Sequence, residues 1–205
     1  MATHALHAMA KGGMYDVVGG GFARYSVDDQ WQTPHFEKML YDNAQLARVY
    51  LRASNLLSMA DYKEVSIDTL QFIQRELMTK KGAMAASLSA IDSNNVEGGY
   101  YLWTREGLKE LLSKDELAIV ELAWLTKQPA PFDAGYLPLW QEGGSAQPGL
   151  TEAEFKWLTS AQTKMLKKRQ LDRRLPVDDK LLAGWNGLAL SAFSQAAIKE
   201  RKVGY

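Results

Sequence analysis

The residues best suited to do chemistry fall in one stretch, Trp31-Gln32-Thr33-Pro34-His35-Phe36-Glu37-Lys38-Met39-Leu40-Tyr41-Asp42-Asn43. An imidazole titrates near neutral pH, so His35 is the candidate general acid or base, with Glu37 as the carboxylate beside it. Pro34 reads as the opening residue of a helix. The positive end of that helix would favour the neutral imidazole and stabilise the Glu37 carboxylate. Glu37, Tyr41 and Asn43 need not share one face, so the stretch reads equally as a helix start with His35 hydrogen-bonded to a neighbouring loop.

Upstream, Asp16, Arg24 and Tyr25 flank Gly19-Gly20-Gly21. Three residues without Cβ permit positive φ and close backbone approach, but the spacing of a phosphate-binding P-loop is absent. Arg24 can clamp a carboxylate or a sugar hydroxyl, or serve in a structural Arg–Asp pair. His4 and His7 can share a helix face, yet there is no HExxH and no cysteine, so no metal site and no cofactor is expected. Near the other end stand Asp178-Asp179-Lys180 and Trp185-Asn186. One reading is a cap, a salt bridge and a core indole; the other lays the apolar C–H face of a sugar ring on Trp185.

The elements that must position these groups are mainly helical. A short helix is expected over Thr3 to Met14, and a long one from Pro34 to about Leu57. Phe36, Met39, Leu40, Leu46, Ala47, Tyr50 and Leu51 recur at helical spacing in the long one. Asn43 falls inside that stripe, where a buried amide without partners would cost about 1–3 kcal/mol. A third helix runs from an Asp61 N-cap to about Met78. Ala83 to Ile91 and Gly99 to Trp103 read as a small β-hairpin insertion around a polar turn. Thr104 caps a short helix, and Lys114 or Asp115 starts another, ending near Leu125. A long loop spans 127–148, with a possible strand in Tyr136 to Trp140. Thr151 opens a helix to about Leu171, whose Lys164, Lys167, Lys168 and Arg169 suit the negative helix end. Asp178 caps the last helix, where Gly184 and Gly187 imply close approach by a neighbour.

The chain has 205 residues and balances 24 Lys+Arg against 24 Asp+Glu. Without a basic surplus a nucleic-acid partner is not expected. The absence of cysteine excludes disulfides, thiolate metal sites and cysteine nucleophiles. No apolar run approaches the roughly 20 residues of a membrane helix, and Met1 to Gly13 lacks a signal-peptide core. A soluble, cytoplasmic chain without membrane partners is the default expectation. Six Trp, nine Tyr and six Phe provide core and stacking surface.

Four blocks carry a resemblance: GGMYDVVGGGFARYSVDDQW (Gly12–Trp31), PHFEKMLYDNAQL (Pro34–Leu46), GYYLWTREGL (Gly99–Leu108) and VDDKLLAGWNGLAL (Val177–Leu190). In this order they resemble the YyaL-type (DUF255) family, the thioredoxin-domain-containing, spermatogenesis-associated-protein-20-like proteins. The resemblance spans nearly the whole chain. It implies an (α/α)6 toroid similar to six-hairpin glycosidases and N-acylglucosamine 2-epimerases, of which residues 1–205 match the first part. The thioredoxin-like domain and the later hairpins of that family have no counterpart here. The chain thus reads as an incomplete toroid of about seven helices, and open helix faces built for burial imply self-association.

The resemblance further implies a carbohydrate-like ligand in a central cavity, handled by epimerisation, isomerisation or hydrolysis. The matched motif positions are Asp16, Arg24, Tyr25, Trp31, His35, Glu37, Tyr41, Asn43, Trp103, Asp179, Lys180, Trp185 and Asn186. In this reading His35 and Glu37 move protons and Trp31, Trp103 and Trp185 support the ring. Arg24, Asn43 and Asn186 would bind hydroxyls. Epimerases of this fold use a pair of His residues, and His35 is the one in a matching motif. The acidic run that family members carry before the tryptophan block reads Ser89-Ala90-Ile91-Asp92-Ser93 here, one acid short. The competing implication is a non-catalytic helical module or inactive fragment whose polar motifs stitch hairpins together or engage a protein partner.

Overall fold

The computed structural model describes residues 2–125, 130–141 and 149–202. Helices dominate: α1 (Ala2–Lys11), α2 (Leu40–Leu57), α3 (Ala60–Phe72), α4 (Arg105–Leu111), α5 (Lys114–Ala123), α6 (Glu152–Asp172) and α7 (Ala183–Lys202). Helix α2 is the centre of the arrangement. Its buried stripe contains Leu40, Asn43, Ala44, Ala47, Tyr50, Leu51 and Ser54, a helical spacing that gives it two sides to bury. Helix α3 doubles back after Ser58, which takes a left-handed φ of 55° and donates its N–H to the Ser54 carbonyl. α3 ends in a π-helical turn, Ile73–Leu77. On its other side α2 packs on α7, with Leu40, Ala44 and Ala47 against Ala189 and Ala192. Small residues there let the two helices approach closely. A second core joins α1 to α5 and α6 through Leu6, Ala10, Ile119, Val120, Leu158, Ala161 and Met165.

The β structure is small and antiparallel. β1 (Tyr25–Ser26) pairs with β2 (Pro34–His35). β3 (Lys38–Met39), β4 (Ser87–Leu88) and β5 (Val177–Asp178) form a three-stranded sheet in that order. The polar turn after Ala90 closes on itself through an antiparallel Ile91–Glu97 bridge and a hydrogen bond from Gly98 N–H to the Ala90 carbonyl. Of the long loop, 127–129 and 142–148 lie outside the described residues. Residues 130–141 run along the core, and the expected strand there is one bridge, Tyr136 with Trp103.

Two expected helix starts are corrected. Pro34 does not open a helix but leads a two-residue strand, with α2 starting at Leu40, and the last helix does not start at Asp178 but at Ala183. Asp178 is a strand residue and caps nothing. α3 starts at Ala60 without a side-chain cap, so Asp61 is a first-turn acid. Gly184 and Gly187 do not mark close approach, since a Cβ at either would meet nothing within 4 Å. The Thr104 and Thr151 caps are formed, and Ser113 adds a third. Among the described residues no helix is long and apolar enough to cross a membrane.

The Ser113 cap carries a further load. Its partner Glu116 is buried and accepts from Ser113 N–H at 2.7 Å, Ser160 Oγ at 2.6 Å and Lys164 Nζ at 2.7 Å, tying α5 to α6. Burial alone would raise the carboxyl, but these donors outweigh it and hold its pKa at about 2. The unfolded chain binds the proton first, so this contribution is full above the usual carboxylate range and disappears as pH falls toward 2. Thermal unfolding of the native protein and Glu116→Gln should therefore differ at pH 6 and converge near pH 2. About 1–3 kcal/mol is at stake, discounted for the solvent around Lys164. A constant gap across that range would remove the proposed linkage.

Candidate ligand-binding site

The three-stranded sheet brings two distant chain segments to one end of the α2–α7 pair. Met39 pairs with Ser87 and Ser87 with Asp178. Strands lie about 4.8 Å apart, so the entries to α2 and α7 are neighbours. The Tyr41 ring stands 4.7 Å from the Trp185 ring, tilted by 57°.

The β1–β2 pair adds a second set of groups. Tyr25 lies opposite His35, and their rings stack at 4.9 Å. Arg24 Nη1 donates to Glu37 Oε2 at 3.1 Å, and the Arg24 backbone N–H donates to the Glu37 carbonyl at 2.9 Å. His35 stands between two carboxylates, with Nε2 3.9 Å from Glu37 and Nδ1 3.5 Å from Glu97. Arg24 is also hydrogen-bonded with Tyr41, and with Glu37 this raises the guanidinium pKa further. The next residue, Asp42, has one carboxyl oxygen buried without a partner. Burial raises its pKa, against a hydrogen bond from Tyr41 and the charge of Arg24. Arg24, Tyr25, His35, Glu37, Tyr41 and Trp185 thus form one partly solvent-facing cluster. Asp42 and Glu97 join it, although the sequence reading passed over both. Asp42 had a legible signal, an acid next to the motif aromatic. Glu97 comes from a remote turn and had none. His35 and Glu37 stand ahead of α2 in β2 and the β2–β3 link, so the helix-dipole argument for them does not apply.

The other expected site residues are used elsewhere. Asp16 is buried, accepting from Lys38 Nζ at 2.9 Å and from Arg169 Nη1 and Nη2 at 3.2 and 2.8 Å. Its carboxyl also receives the backbone N–H groups of Val18 and Gly19. Burial opposes the charge, and Arg169 and Lys38 overcome it, holding Asp16 well below the usual range. Burial pulls the Lys38 ammonium down to about 8, with Asp16 opposing and Arg169 assisting. Asn43 is fully buried. It accepts from Phe22 N–H at 2.6 Å and donates to the Phe22 and Met39 carbonyls at 3.0 and 2.9 Å. Asn186 treats Met84 in the same way, accepting from its N–H at 2.8 Å and donating to its carbonyl at 2.9 Å. Trp31 has a left-handed φ of 63° and packs on the α1 core. Trp103 is buried under the Arg173 guanidinium, 4.2 Å from its ring. Asp179 and Lys180 are exposed, and Lys180 pairs with Asp178 at 2.9 Å. Arg24 pairs with Glu37 and not with an aspartate. Among the described residues no three His, Asp or Glu side chains are placed to hold a metal ion.

The chain is therefore a mainly helical protein with small antiparallel sheets, carrying an aromatic and charged cluster where α2 and α7 begin. No family model matches it. It is similar to spermatogenesis-associated protein 20 of Homo sapiens, 35% identical over 225 residues that cover 95% of this chain and 28% of that protein. The Rattus norvegicus protein of the same name is 34% identical, covering 96% of this chain and 28% of its own length. An uncharacterised protein of Caenorhabditis elegans is 29% identical over 98% of this chain and 32% of its own length. The chain thus spans less than a third of the length of these curated relatives. The mammalian matches support its placement with spermatogenesis-associated protein 20.

Proposed function

We propose that residues 1–205 form part of an (α/α)6-type domain of the YyaL kind, cytoplasmic, that binds a carbohydrate-like ligand at the α2–α7 entry. The observation that carries this is the cluster itself. Rings of Tyr25, Tyr41 and Trp185 stand beside hydrogen-bonding charges of Arg24 and Glu37, drawn from separate stretches of chain. Sugar rings offer apolar C–H faces to aromatics and hydroxyls to charged groups, and this site offers both partners. Epimerisation or isomerisation needs a proton taken from carbon and returned. His35, flanked by Glu37 and Glu97, is the group for it. Exposed Leu181, Leu190 and Ile198 are apolar positions through which the chain would self-associate.

A thermal-shift screen with mono- and disaccharides tests the binding. A ligand near ten times its Kd should raise Tm by about 2–6 °C. Trp185→Ala and Arg24→Ala should remove that shift while both variants still unfold cooperatively. His35→Ala should abolish turnover of the bound sugar followed by NMR. The second reading is a non-catalytic helical module. It is favoured by Asp16, Asn43 and Asn186, whose polar atoms are bonded within the protein. A screen in which no saccharide moves Tm selects that reading and ends the first.

A further inference from the structure

A cavity of about 320 Å³ lies away from the α2–α7 entry, between α1, α3 and α6. Its size is that of a small-molecule site. Two features of its wall bear on what it would hold. One is aromatic: Trp124, Trp140 and Phe155 line it, the two indoles edge to face at 6.0 Å. Trp124 also buries an indole N–H that has no partner. The other is acidic. Asp61, Glu64 and Asp68 stand three and four residues apart on α3, which puts them on one helix face, and all three line the cavity. Asp68 accepts from Tyr15 Oη at 3.1 Å. Among the described residues, Asp61 and Glu64 make no ion pair.

The cavity already holds one cation of the protein's own. Lys11 reaches in from α1 and sets its ammonium 5.0 Å from the centre of the Trp140 ring. The contact is a direct sign that this aromatic wall accepts an alkylammonium. Lys11 attracts Asp61 and Arg75 attracts Asp68, so two cations, with His7 on the cavity wall, face three carboxylates. Burial and the charges of Asp61 and Asp68 raise the Glu64 carboxyl, and burial raises Asp68. A second positive group in the cavity would relieve that repulsion.

We propose that this cavity binds an organic ammonium ion with an apolar body, its head against Asp61 and Glu64 and its body against Trp124, Trp140 and Phe155. The class follows from the two walls together. An anion would meet the acid row, and a neutral ligand would leave that row without a counter-charge.

The test uses the full chain and three compounds of one shape: phenethylammonium, 2-phenylethanol and 3-phenylpropionate. Binding is read by calorimetry and by quenching of tryptophan fluorescence. The ammonium should bind saturably and at least about tenfold tighter than the alcohol, with the carboxylate weakest. In the double variant Asp61→Asn, Glu64→Gln the ammonium should lose about tenfold in affinity while the alcohol is unchanged. These two side chains lie at the surface edge of α3, and the unfolding midpoint checks that the variant folds. Equal affinity for ammonium and alcohol would show an apolar pocket without charge selection and overturn the proposal. So would no saturable ammonium binding up to about 10 mM. The ranking on the unaltered protein decides even if the double variant fails to fold.

Discussion

Replacing Asp16 with alanine is expected to destabilise the fold by about 3–5 kcal/mol, the cost of leaving a buried charge without its partner. The carboxylate is the one anion shared by two buried cations, Lys38 and Arg169, both nearly inaccessible to solvent. Without it, the Arg169 guanidinium would be left buried without its anion, beside Lys38, whose ammonium burial and Arg169 already pull down and Asp16 holds up. The aromatic faces around them, Phe72 and Tyr101 for Lys38 and Tyr100 and Tyr101 for Arg169, soften that loss but carry no net charge. The cluster also joins the glycine loop, the entry to α2 and the end of α6, three stretches far apart in the chain. Its packing is close enough that a Cβ at Gly19 would come within 2.0 Å of the Arg169 guanidinium. Urea unfolding should therefore show a large fall in midpoint for Asp16→Ala. The triple variant Asp16→Leu, Lys38→Met, Arg169→Met should recover much of the loss, because apolar replacements remove the unpaired charge. A single variant within about 1 kcal/mol of the native protein would mean the cluster is hydrated and its charges screened. The pH sign agrees with this reading. Asp16 is held below the usual carboxylate range, so its contribution is full above the unfolded pKa and is lost only as acid protonates the folded carboxyl.

How much of this could be read from the letters depended on the range over which each signal acts. The helices α1, α5 and α6, with the Thr104 and Thr151 caps, follow from local periodicity and hydroxyl-led starts. The entries to α2 and α7 were misread for one shared reason. Pro34 suits a first helical turn and Asp178 suits an N-cap, and Phe36, Met39 and Leu40 are spaced as helix residues are. A two-residue strand carries no alternation that could argue otherwise, and what makes it a strand is a partner from another part of the chain. That error mattered, because it put His35 and Glu37 on a helix dipole they do not feel. The candidate cluster was legible in composition: six of its members were named from motif positions. Its membership was not, since Trp103 and Trp31 look no different in sequence from Trp185. The buried triad was half visible. Leu158, Ala161, Met165 and Arg169 form one buried stripe at spacings of three and four, so Arg169 belonged to the inner face of α6. Reading it with Lys167 and Lys168 as a charged helix end overlooked that phase.

Asn43→Ala is the second large effect expected, a loss of about 2–4 kcal/mol from three hydrogen bonds and the desolvation of the groups left behind. The amide does what a strand partner would do. It answers both the N–H and the carbonyl of Phe22 and so holds the glycine loop to the first turn of α2. Phe22 is fully buried, stacked on Tyr50 at 5.2 Å, so its backbone groups have no water to turn to when the amide is removed. The loop backbone is already committed, with Gly20 and Gly21 at φ of 71° and 78°. Asn186 offers an internal control. It binds the Met84 backbone with the same donor and acceptor, but it is itself partly exposed and these bonds are only part-buried. Water can replace a bond there, and Asn186→Ala should cost only about 1 kcal/mol. Denaturant titrations of the two variants in parallel measure the difference. If both fall equally, burial is not what sets the cost. If Asn43→Ala binds a sugar less well with unchanged stability, the amide serves a ligand after all and not the fold.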